Sequence, residues 1–401
     1  MDWLTSAQLF VLSQGILLCV VILSVRGGNR TANTILALYI ALNTTGMFMH
    51  LLIQAKIPIY SPLYGIFILL IFKGPLLFLY VRSLTDADFR FNRSLFIHAL
   101  CIIPGLITYA MKMSAGDVPA TLVGDQFVTN KPVPLFLLIN SSIILAYGLM
   151  SLRLLETHRS RLENTFSAIG PITLNWLKWL IIFVLAMRLT YMVKDLAMIF
   201  GLTEIKPKSV ILMMLNFGVI YFIAIGGLRQ PMIFSRSIRD VLEKVETPTA
   251  QVAPSTETDC QAQEDTKVKY QKSALGQEKL DGIWTRLITL FDEQKTYMQE
   301  DLNLSHLADL LEISSHELSQ AINMKSGSNF YELVNRYRID AAKELLENPQ
   351  HSHRKLLDIA MEVGYKSQST FYSQFNKQVG MTPKRYRDQC LASIESNEAT
   401  S

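Results

Sequence analysis

The 401-residue chain is short of the residues that build disulfide frameworks, metal sites and common active sites. Its four cysteines are scattered, with no CxxC pair and no histidine at ligand spacing. This pattern argues against a disulfide framework and against a zinc site. The chain also has no HExxH motif, no helix with paired carboxylates and no glycine-rich phosphate loop, so an intramembrane hydrolase or a nucleotide-driven pump has no support. We therefore expect a protein that is not an enzyme and that uses no metal or cofactor.

Long apolar runs are abundant, and they lie almost entirely before Arg229. Half of all residues are apolar and the mean hydropathy is positive, which is high for a soluble protein of ordinary size. Roughly seven runs approach the ~20 residues that a helix needs to cross ~30 Å of hydrocarbon. They are Ala7–Val25, Thr34–Ile53, Pro62–Val81, Leu95–Met113, Val133–Leu152, Leu174–Phe200 and Ser209–Leu228. The sequence thus predicts a polytopic bundle of membrane helices in residues 1–230.

The charges that flank the apolar runs predict the orientation of this bundle. Alternate loops differ, because one set is rich in arginine and the other carries only lysines. The arginine-rich set contains Arg26, Arg30, Arg82, Arg90, Arg93, Arg153, Arg159, Arg161, Arg229, Arg236 and Arg239. The positive-inside rule places this set in the cytoplasm. With an odd number of spans, the N-terminus lies outside and everything after Arg229 lies inside.

A few charged side chains interrupt the apolar runs. Lys73 and Arg188 lie mid-span, and Asp195 follows Arg188 by seven residues, so the last two can share a helix face. A charge inside a membrane is by default a hypothesis of a functional site. Lys73, Arg188 and Asp195 are therefore the candidate signal-sensing residues, for an unknown small molecule or membrane signal. The alternative is a structural ion pair that holds the bundle together.

A polar segment separates the apolar runs from the rest of the chain. Residues Glu246–Lys267 are mostly Pro, Thr, Gln and acids, so burial cannot offset the entropy of ordering them. We expect residues 231–270 to be a flexible cytoplasmic linker and residues 391–401 to be a disordered tail. The helix after the linker has an apolar face that consists of Leu280, Ile283, Trp284, Leu287, Ile288 and Phe291. Packing within the chain is the favoured interpretation of this face, and a dimer seam is the alternative.

The most informative stretch is Leu356–Arg387, which predicts two short helices and a turn between them. Gly364 permits the turn that lets the second helix, starting near Ser367, lie across the first. Phe371 and Phe375, four residues apart, give the second helix an apolar face. An element of this shape places an exposed helix in the DNA major groove.

This stretch resembles the signature of the AraC/XylS family of bacterial transcription regulators. The residues that carry the resemblance are Ile359, Ala360, Val363, Gly364, Tyr365, Ser367, Ser369, Phe371, Phe375, Gly380, Thr382, Pro383, Tyr386 and Arg387. The family has two such units joined by a helix, and the chain from Asn303 resembles the first unit. The resemblance implies an all-α DNA-binding domain in residues 271–390, with double-stranded DNA as its partner. Membrane lipid and a second copy of the chain are the other expected partners.

The helix from about Asn329 to Glu347 joins the two units. At 1.5 Å per residue it is about 27 Å long. This length can hold two recognition helices about one DNA turn apart, on the same face of the duplex. We expect Arg338, inside this helix, to brace the two units by pairing with an acid.

Base-reading side chains are expected on the outward face of the second helix of each unit. Gln and Asn can pair bidentately with adenine, and Ser can contact several bases. The candidate DNA-binding residues are Ser315, His316, Ser319, Gln320, Asn323, Lys366, Gln368, Ser369, Tyr372, Ser373, Asn376, Lys377, Lys384, Arg385 and Arg387. The family often has arginine where this chain has Gln320 and Ser373, and it tends to have glycine where this chain has Glu312. We therefore expect modest phosphate neutralisation and weak binding unless valency raises it.

The combined prediction is an all-α, one-component transcription regulator of the bacterial inner membrane. A bundle of about seven spans would sense a signal, and a cytoplasmic AraC-type domain would bind DNA. Two other classes stay open at this point. One is a transporter or membrane enzyme with an appended regulatory domain, and the other is an interaction anchor whose helix-turn-helix units no longer bind DNA.

Overall fold

Helices are the main regular structure in the part of the chain that the computed structural model describes. The described residues are 3–24, 29–54, 59–60, 68–86, 89–90, 92–114, 121–122, 132–169, 173–200 and 265–398, with three residue pairs between 218 and 226. Two short strands, β1 (Ile59–Tyr60) and β2 (Thr121–Leu122), pair in antiparallel register. The chain divides into a first unit, residues 1–158 and 174–235, and a second unit, residues 159–173 and 236–401.

The first unit is built from long apolar helices. They are α1 (Trp3–Ser24), α2 (Arg30–Gln54), α3 (Lys73–Thr85), α4 (Ile103–Ser114), α5 (Pro132–Thr165) and α6 (Asn175–Ile199). Short 3₁₀ helices, Leu70–Phe72 and Arg93–Ile102, precede α3 and α4. Helix α2 packs on both α1 and α3. Ile35, Ile40, Tyr80, Leu177 and Ile181 are among the fully buried side chains of the core that the helices share.

The predicted membrane spans correspond only in part to these helices. Residues 137–165 form the one described helix that is long and apolar enough to be a candidate span, and Leu12–Ser24 and Leu95–Ile107 are shorter apolar helices. The described residues thus support one candidate span, against the seven expected from the sequence. The start of the run Pro62–Val81 and most of the run Ser209–Leu228 lie outside the described residues.

Large apolar side chains cover the outside of the first unit. Phe96 is 73% exposed and Trp179 is 68% exposed. Others that are more than half exposed include Phe10, Ile16, Leu17, Val20, Leu23, Leu149 and Val193. Monomeric soluble proteins rarely expose contiguous apolar patches larger than a few hundred Å². This surface is therefore unusual for a unit that faces water on all sides.

The second unit contains amphipathic helices. They are α7 (Asp265–Gln294), α8 (Leu304–Leu310), α9 (Ser315–Ser326), α10 (Phe330–Glu347), α11 (Leu356–Glu362), α12 (Gln368–Val379) and α13 (Pro383–Glu398). Two 3₁₀ turns, Thr296–Met298 and Pro349–His351, lie between them.

Both ends of the second unit differ from the sequence prediction. Helix α7 begins at Asp265, inside the predicted flexible linker, whose earlier part lies outside the described residues. Helix α13 continues to Glu398, so residues 391–398 are helical where a disordered tail was expected. Tyr386, Cys390 and Ile394 recur every four residues and are half-buried, which gives α13 a face that packs. This spacing explains why the helix does not stop at residue 390.

Polar side chains set the starts of the helices in the second unit. Asn303, Asn329 and Ser367 each accept a hydrogen bond from a backbone N–H three residues further on. Ser314 forms a reciprocal capping box with Glu317 at the start of α9. Each side chain satisfies an N–H that the first helical turn leaves without a partner. These caps set the starts of α8, α9, α10 and α12.

The apolar face of α7 packs within the chain. Leu280, Ile283, Leu287 and Phe291 are buried in the core of the second unit, and α7 contacts α9. Trp284 packs against the same core and is half-buried. This packing confirms the favoured interpretation of the face and removes the apolar surface that a dimer seam would need.

Candidate nucleic-acid interface

The first helix-turn-helix unit consists of α8 and α9. Leu307, Ala308, Leu318 and Ile322 point into the core and leave the opposite face of α9 to solvent. The turn between the helices contains Glu312 with a φ of +55°. This left-handed backbone conformation is costly for a residue with a Cβ. It explains why glycine suits this position in the family that the chain resembles.

The second unit consists of α11 and α12, and its turn requires a glycine. Gly364 has a φ of +95°. A Cβ at this position would collide with the carbonyl oxygen of Met298 and lie 3.0 Å from Arg338 Nε. Phe371 and Phe375, both fully buried, hold α12 on the core. The predicted turn at Gly364 and the predicted apolar face of α12 are confirmed.

The joining helix α10 is 18 residues long and carries a fully buried arginine. Arg338 Nε donates to the carbonyl oxygen of Tyr297 at 2.7 Å, and Nη2 donates to that of Gln299 at 2.7 Å. The guanidinium carbon lies 5.6 Å from the centre of the Tyr365 ring. Arg338 therefore braces the entrance of the first unit against the turn of the second. The predicted acidic partner is wrong, because backbone carbonyls accept these hydrogen bonds.

Burial changes the acid–base properties of this contact. Desolvation lowers the pKa of the Arg338 guanidinium to about 10, which leaves it charged at neutral pH. Desolvation also raises the pKa of the Tyr365 phenol well above its usual range. The contact is thus a stable cation on a neutral ring throughout the physiological pH range.

The structure places most candidate base-reading residues on the outward faces of α9 and α12. His316, Gln320, Asn323, Gln368, Ser369, Ser373 and Asn376 are exposed. Ser315 and Ser319 are half-buried, and the Ser315 hydroxyl lies 3.5 Å from that of Ser305. Tyr372 is half-buried with its ring edge-on to Phe371, so part of its surface belongs to the core. The two faces together present amide groups, which can pair with adenine, and hydroxyl groups, which can contact several bases.

Several basic candidates already have partners within the chain. Lys366 pairs with Asp301, and Lys377 Nζ lies 3.3 Å from Glu332 Oε1. Exposed ion pairs of this kind contribute about 0–1 kcal/mol, so DNA phosphates can compete for these lysines. Arg387 Nη1 donates to the carbonyl oxygen of Arg354 at 2.9 Å.

The last two basic candidates, Lys384 and Arg385, are exposed in the first turn of α13. They add positive charge beside the second unit.

The start of α9 is fixed by a carboxylate with three donors around it. Hydrogen bonds from Lys279 and from the Ser314 hydroxyl and backbone N–H lower the pKa of Glu317 to about 2. Glu317 is therefore ionised at every physiological pH, and its charge lies in the first turn of α9, where it complements the helix dipole. The pair with Lys279 also ties α7 to the helix that carries Gln320.

Sequence reasoning missed one component of this domain, the segment just after α5. Ser167 donates from its backbone N–H and its hydroxyl to the carbonyl oxygen of Leu302, at 3.2 Å and 2.6 Å. Phe166 forms an isolated antiparallel bridge with Asn303. The sequence contains no signal for this contact, because the segment reads as a loop between apolar runs.

The three candidate sensing residues form one electrostatic group in the first unit. Arg188 interacts with both Lys73 and Asp195. Its guanidinium carbon lies 5.5 Å from the centre of the Tyr191 ring. Asp195 is only 4% exposed. Arg188 on α6 is thus within electrostatic range of Lys73 on α3 and of Asp195 on its own helix. Among the described residues, no group of three or more His, Cys, Asp or Glu side chains could hold a metal ion.

Two helix-turn-helix units on one core, joined by a buried helix, define the class of the C-terminal domain. Residues 307–389 match the family model described as "Helix-turn-helix domain". The chain is 28% identical over 116 residues to the HTH-type transcriptional activator RhaS of Escherichia coli O1:K1 / APEC, a match that covers 29% of this chain and 40% of RhaS. It is 30% identical over 107 residues to the bifunctional transcriptional activator/DNA repair enzyme AdaA of Bacillus subtilis (strain 168), covering 27% of this chain and 48% of AdaA.

One solved structure is similar to a stretch of this chain that is about as long as the stretches matched by these relatives. It is the C-terminal domain of AraT, a response regulator from Geobacillus stearothermophilus, with 34% sequence identity and a TM-score of 0.23. The match covers 27% of this chain and 84% of that one. The chain spans less than half the length of the two curated relatives. Its C-terminal domain is an AraC-type helix-turn-helix domain.

Proposed function

We propose that this protein is a membrane-bound, one-component transcription regulator that binds specific double-stranded DNA. The observation that carries the proposal is the pair of exposed polar faces on α9 and α12, held on one core by the buried helix α10. Helix α10 is about 27 Å long, which suits two recognition helices in successive major grooves. The lack of arginine on both faces leaves most of the affinity to the basic residues around them and to valency.

The membrane part of the proposal rests on the surface of the first unit. Exposed side chains such as Phe96, Trp179 and Val193 are favourable against lipid and unfavourable against water. Residues 137–165 supply a candidate span. The segment that bonds to the DNA domain follows Arg159 and Arg161, which belong to the arginine-rich set of loops. A cytoplasmic location for that set therefore agrees with a cytoplasmic DNA domain.

The sensing part of the proposal rests on the charged group in the first unit. An anionic or polar signal would offset the desolvation cost of Lys73 and Arg188. The signal would then regulate DNA binding only if it favours one state of the protein over another. Replacing Arg188 with Leu should abolish the effect of the signal on transcription from a bound promoter. It should not reduce the amount of chain in the membrane. Arg153→Leu, at an exposed position of α5, is the matched control.

Selection of DNA sequences by the full chain tests the proposed function. The chain, held in lipid nanodiscs, is mixed with a random duplex library, and bound duplexes are sequenced. We expect two half-sites about one helical turn apart, with affinity that falls steeply as salt rises. Binding that does not depend on salt, or no enrichment of any sequence, would contradict DNA reading and favour the interaction anchor.

A further inference from the structure

The chain crosses from the end of α5 into the DNA-binding domain within a few residues. We call residues 163–169 the docking segment. Its Phe166 bridges to Asn303, the N-cap of α8, and Ser167 bonds twice to the carbonyl oxygen of Leu302. The docking segment therefore contacts the residues that lead into the first helix-turn-helix unit.

The same segment also contacts the joining helix α10. The Ser167 hydroxyl accepts a hydrogen bond from Arg338 Nη2 at 3.2 Å, and its carbonyl oxygen lies 3.5 Å from both Arg338 Nη1 and Asn335 Nδ2. At the other end of the segment, Glu163 Oε2 accepts from Asn329 Nδ2 at 3.4 Å. Ser167 is 1% exposed. The segment is thus part of the core of the domain and does not merely lie on its surface.

Arg338 extends this contact to the second helix-turn-helix unit. Its guanidinium lies over the Tyr365 ring and beside Gly364, in the turn between α11 and α12. Ser167 and Arg338 therefore connect the entrance of the first unit, the joining helix and the turn of the second unit. A shift of Ser167 would alter the positions of α9 and α12 relative to each other.

The docking segment does not cover the base-reading faces. Its contacts are on Leu302, Asn303 and the buried side of α10, whereas Gln320 and Ser373 stay exposed. The docked arrangement therefore leaves both faces open to solvent. The segment is also the direct continuation of α5, a single helix that begins at Pro132 in the first unit.

We propose that the docking segment positions the two reading units and transmits the state of α5 to them. This inference rests on the proposed function, and it identifies the route of regulation. Ser167 is the positioning residue, because it bonds both to Leu302 and to Arg338, the residue that reaches the second unit. A signal that moves α5 would change the spacing of α9 and α12 without acting through residues 231–264.

The test compares DNA binding by variants of the full chain in lipid nanodiscs. Ser167→Ala removes the hydroxyl that joins Leu302 to Arg338, and Ser160→Ala changes an exposed serine on α5 as the matched control. We expect Ser167→Ala to bind the selected split site about fivefold more weakly, as loss of a buried hydrogen bond predicts. It should also discriminate less against a site whose halves are moved apart by half a turn. The control should retain both the affinity and the spacing preference.

A double variant separates this role from a general loss of stability. If Ser167 acts through Arg338, Ser167→Ala combined with Arg338→Lys should bind no more weakly than Arg338→Lys alone. An insertion of about eight Gly and Ser residues after Pro254 should leave binding unchanged, because the docking segment sets the geometry. Unchanged affinity and spacing preference in Ser167→Ala would overturn the inference, and so would additive losses in the double variant.

A readout that does not involve DNA distinguishes the two proposals. Amide hydrogen exchange of the full chain should be faster at residues 299–303 and 335–338 in Ser167→Ala than in the parent protein or in Ser160→Ala. Faster exchange without DNA binding by any form would leave the docking contact in place and contradict the proposed function. Equal exchange in all three forms would overturn the docking role, whatever the DNA result.

Discussion

The two units of this chain distribute their apolar side chains in opposite ways. In the first unit, large apolar residues such as Phe96 and Trp179 face outward, while Asn140, Ser141 and Asp195 are buried. In the described part of the second unit, the exposed large apolar residues are Leu310, Met324, Leu357 and Met361. This difference is what lipid around the first unit, as proposed above, and water around the second unit would produce.

The two units also use an arginine differently, Arg188 in the first unit and Arg338 in the second. Arg338 and Arg188 each lie beside a tyrosine ring, at 5.6 Å and 5.5 Å. Arg338 donates hydrogen bonds to two backbone carbonyls and to a serine hydroxyl, and these bonds hold the domain together. Arg188 lies within electrostatic range of Lys73 and Asp195 in the first unit. The proposed function treats this group as a candidate site for a polar signal.

The largest expected effect is at the turn of the second helix-turn-helix unit. Gly364→Ala should destabilise the second unit by about 4 kcal/mol, because it combines left-handed backbone strain with a collision against Met298. Gly276→Ala on α7 is the matched control, since a Cβ there meets nothing within 4 Å. The control should be neutral or stabilising by about 1 kcal/mol. Chemical denaturation followed by the fluorescence of Trp284, with Trp3, Trp176 and Trp179 replaced by Phe in every variant, measures both, and equal stabilities would show that the turn tolerates a side chain.

The second prediction compares an exposed leucine of the first unit with an exposed leucine of the second unit. Leu17 on α1 is 53% exposed and Leu310 on α8 is 46% exposed. Leu17→Lys should oppose membrane insertion by about 3 kcal/mol, whereas Leu310→Lys, in water, should change stability by less than about 0.5 kcal/mol. Membrane fractionation and thermal unfolding measure the two effects. Equal behaviour of the two variants would mean that the first unit does not face lipid at α1.

The third prediction concerns base reading. Gln320→Ala should weaken binding to the selected site by about 2 kcal/mol and relax the preference at one base position, as loss of a bidentate contact would. Gln378→Ala, at an exposed position on α12, is the control and should change neither the affinity nor the base preference. Competition binding with a panel of single-base substitutions is the measurement. A uniform loss across all sequences would instead mean that Gln320 contacts phosphate or sugar.

The smallest expected effect is on the pH dependence of stability. Because the folded state lowers the pKa of Glu317 to about 2, its contribution is present above the usual carboxyl pKa of 4.5 and is lost as pH falls from there toward 2. The Glu317 side chain is 32% exposed, so solvent screening limits its contribution to about 1 kcal/mol or less. Glu317→Gln should lower the melting temperature at pH 6 and remove part of the decline between pH 5 and pH 3. Glu278→Gln, on the exposed face of α7, should show the same decline as the parent protein.

Local chemistry explains which features the sequence could predict. The glycine turn at Gly364, the caps at Asn303 and Ser314 and the apolar spacing of Phe371 and Phe375 depend on residues within one or two helical turns. Each pattern therefore fixes its own structure, and the structure confirms them. The joining helix α10 belongs to the same group, because its apolar stripe and the Asn329 cap lie within its own sequence.

Contacts over long separations explain what the sequence could not predict. Ser167 and Arg338 are 171 residues apart, and neither residue type marks the other as its partner. Backbone carbonyls accept the hydrogen bonds of Arg338, and a sequence of side chains does not show which carbonyls will be nearby. The acid partner expected for Arg338 was wrong for this reason.

In the proposed function, one chain is held in a membrane and reads DNA with its C-terminal domain. Genome-wide occupancy of the full chain in intact cells, measured after crosslinking and isolation of the membrane fraction, tests it most directly. We expect discrete occupancy peaks that share a split site, with its two halves about one DNA turn apart. These peaks should be strongly reduced when Gly364→Ala destabilises the second unit and should persist with Gly276→Ala. Absence of such peaks from the membrane fraction, or peaks that survive Gly364→Ala unchanged, would contradict the account.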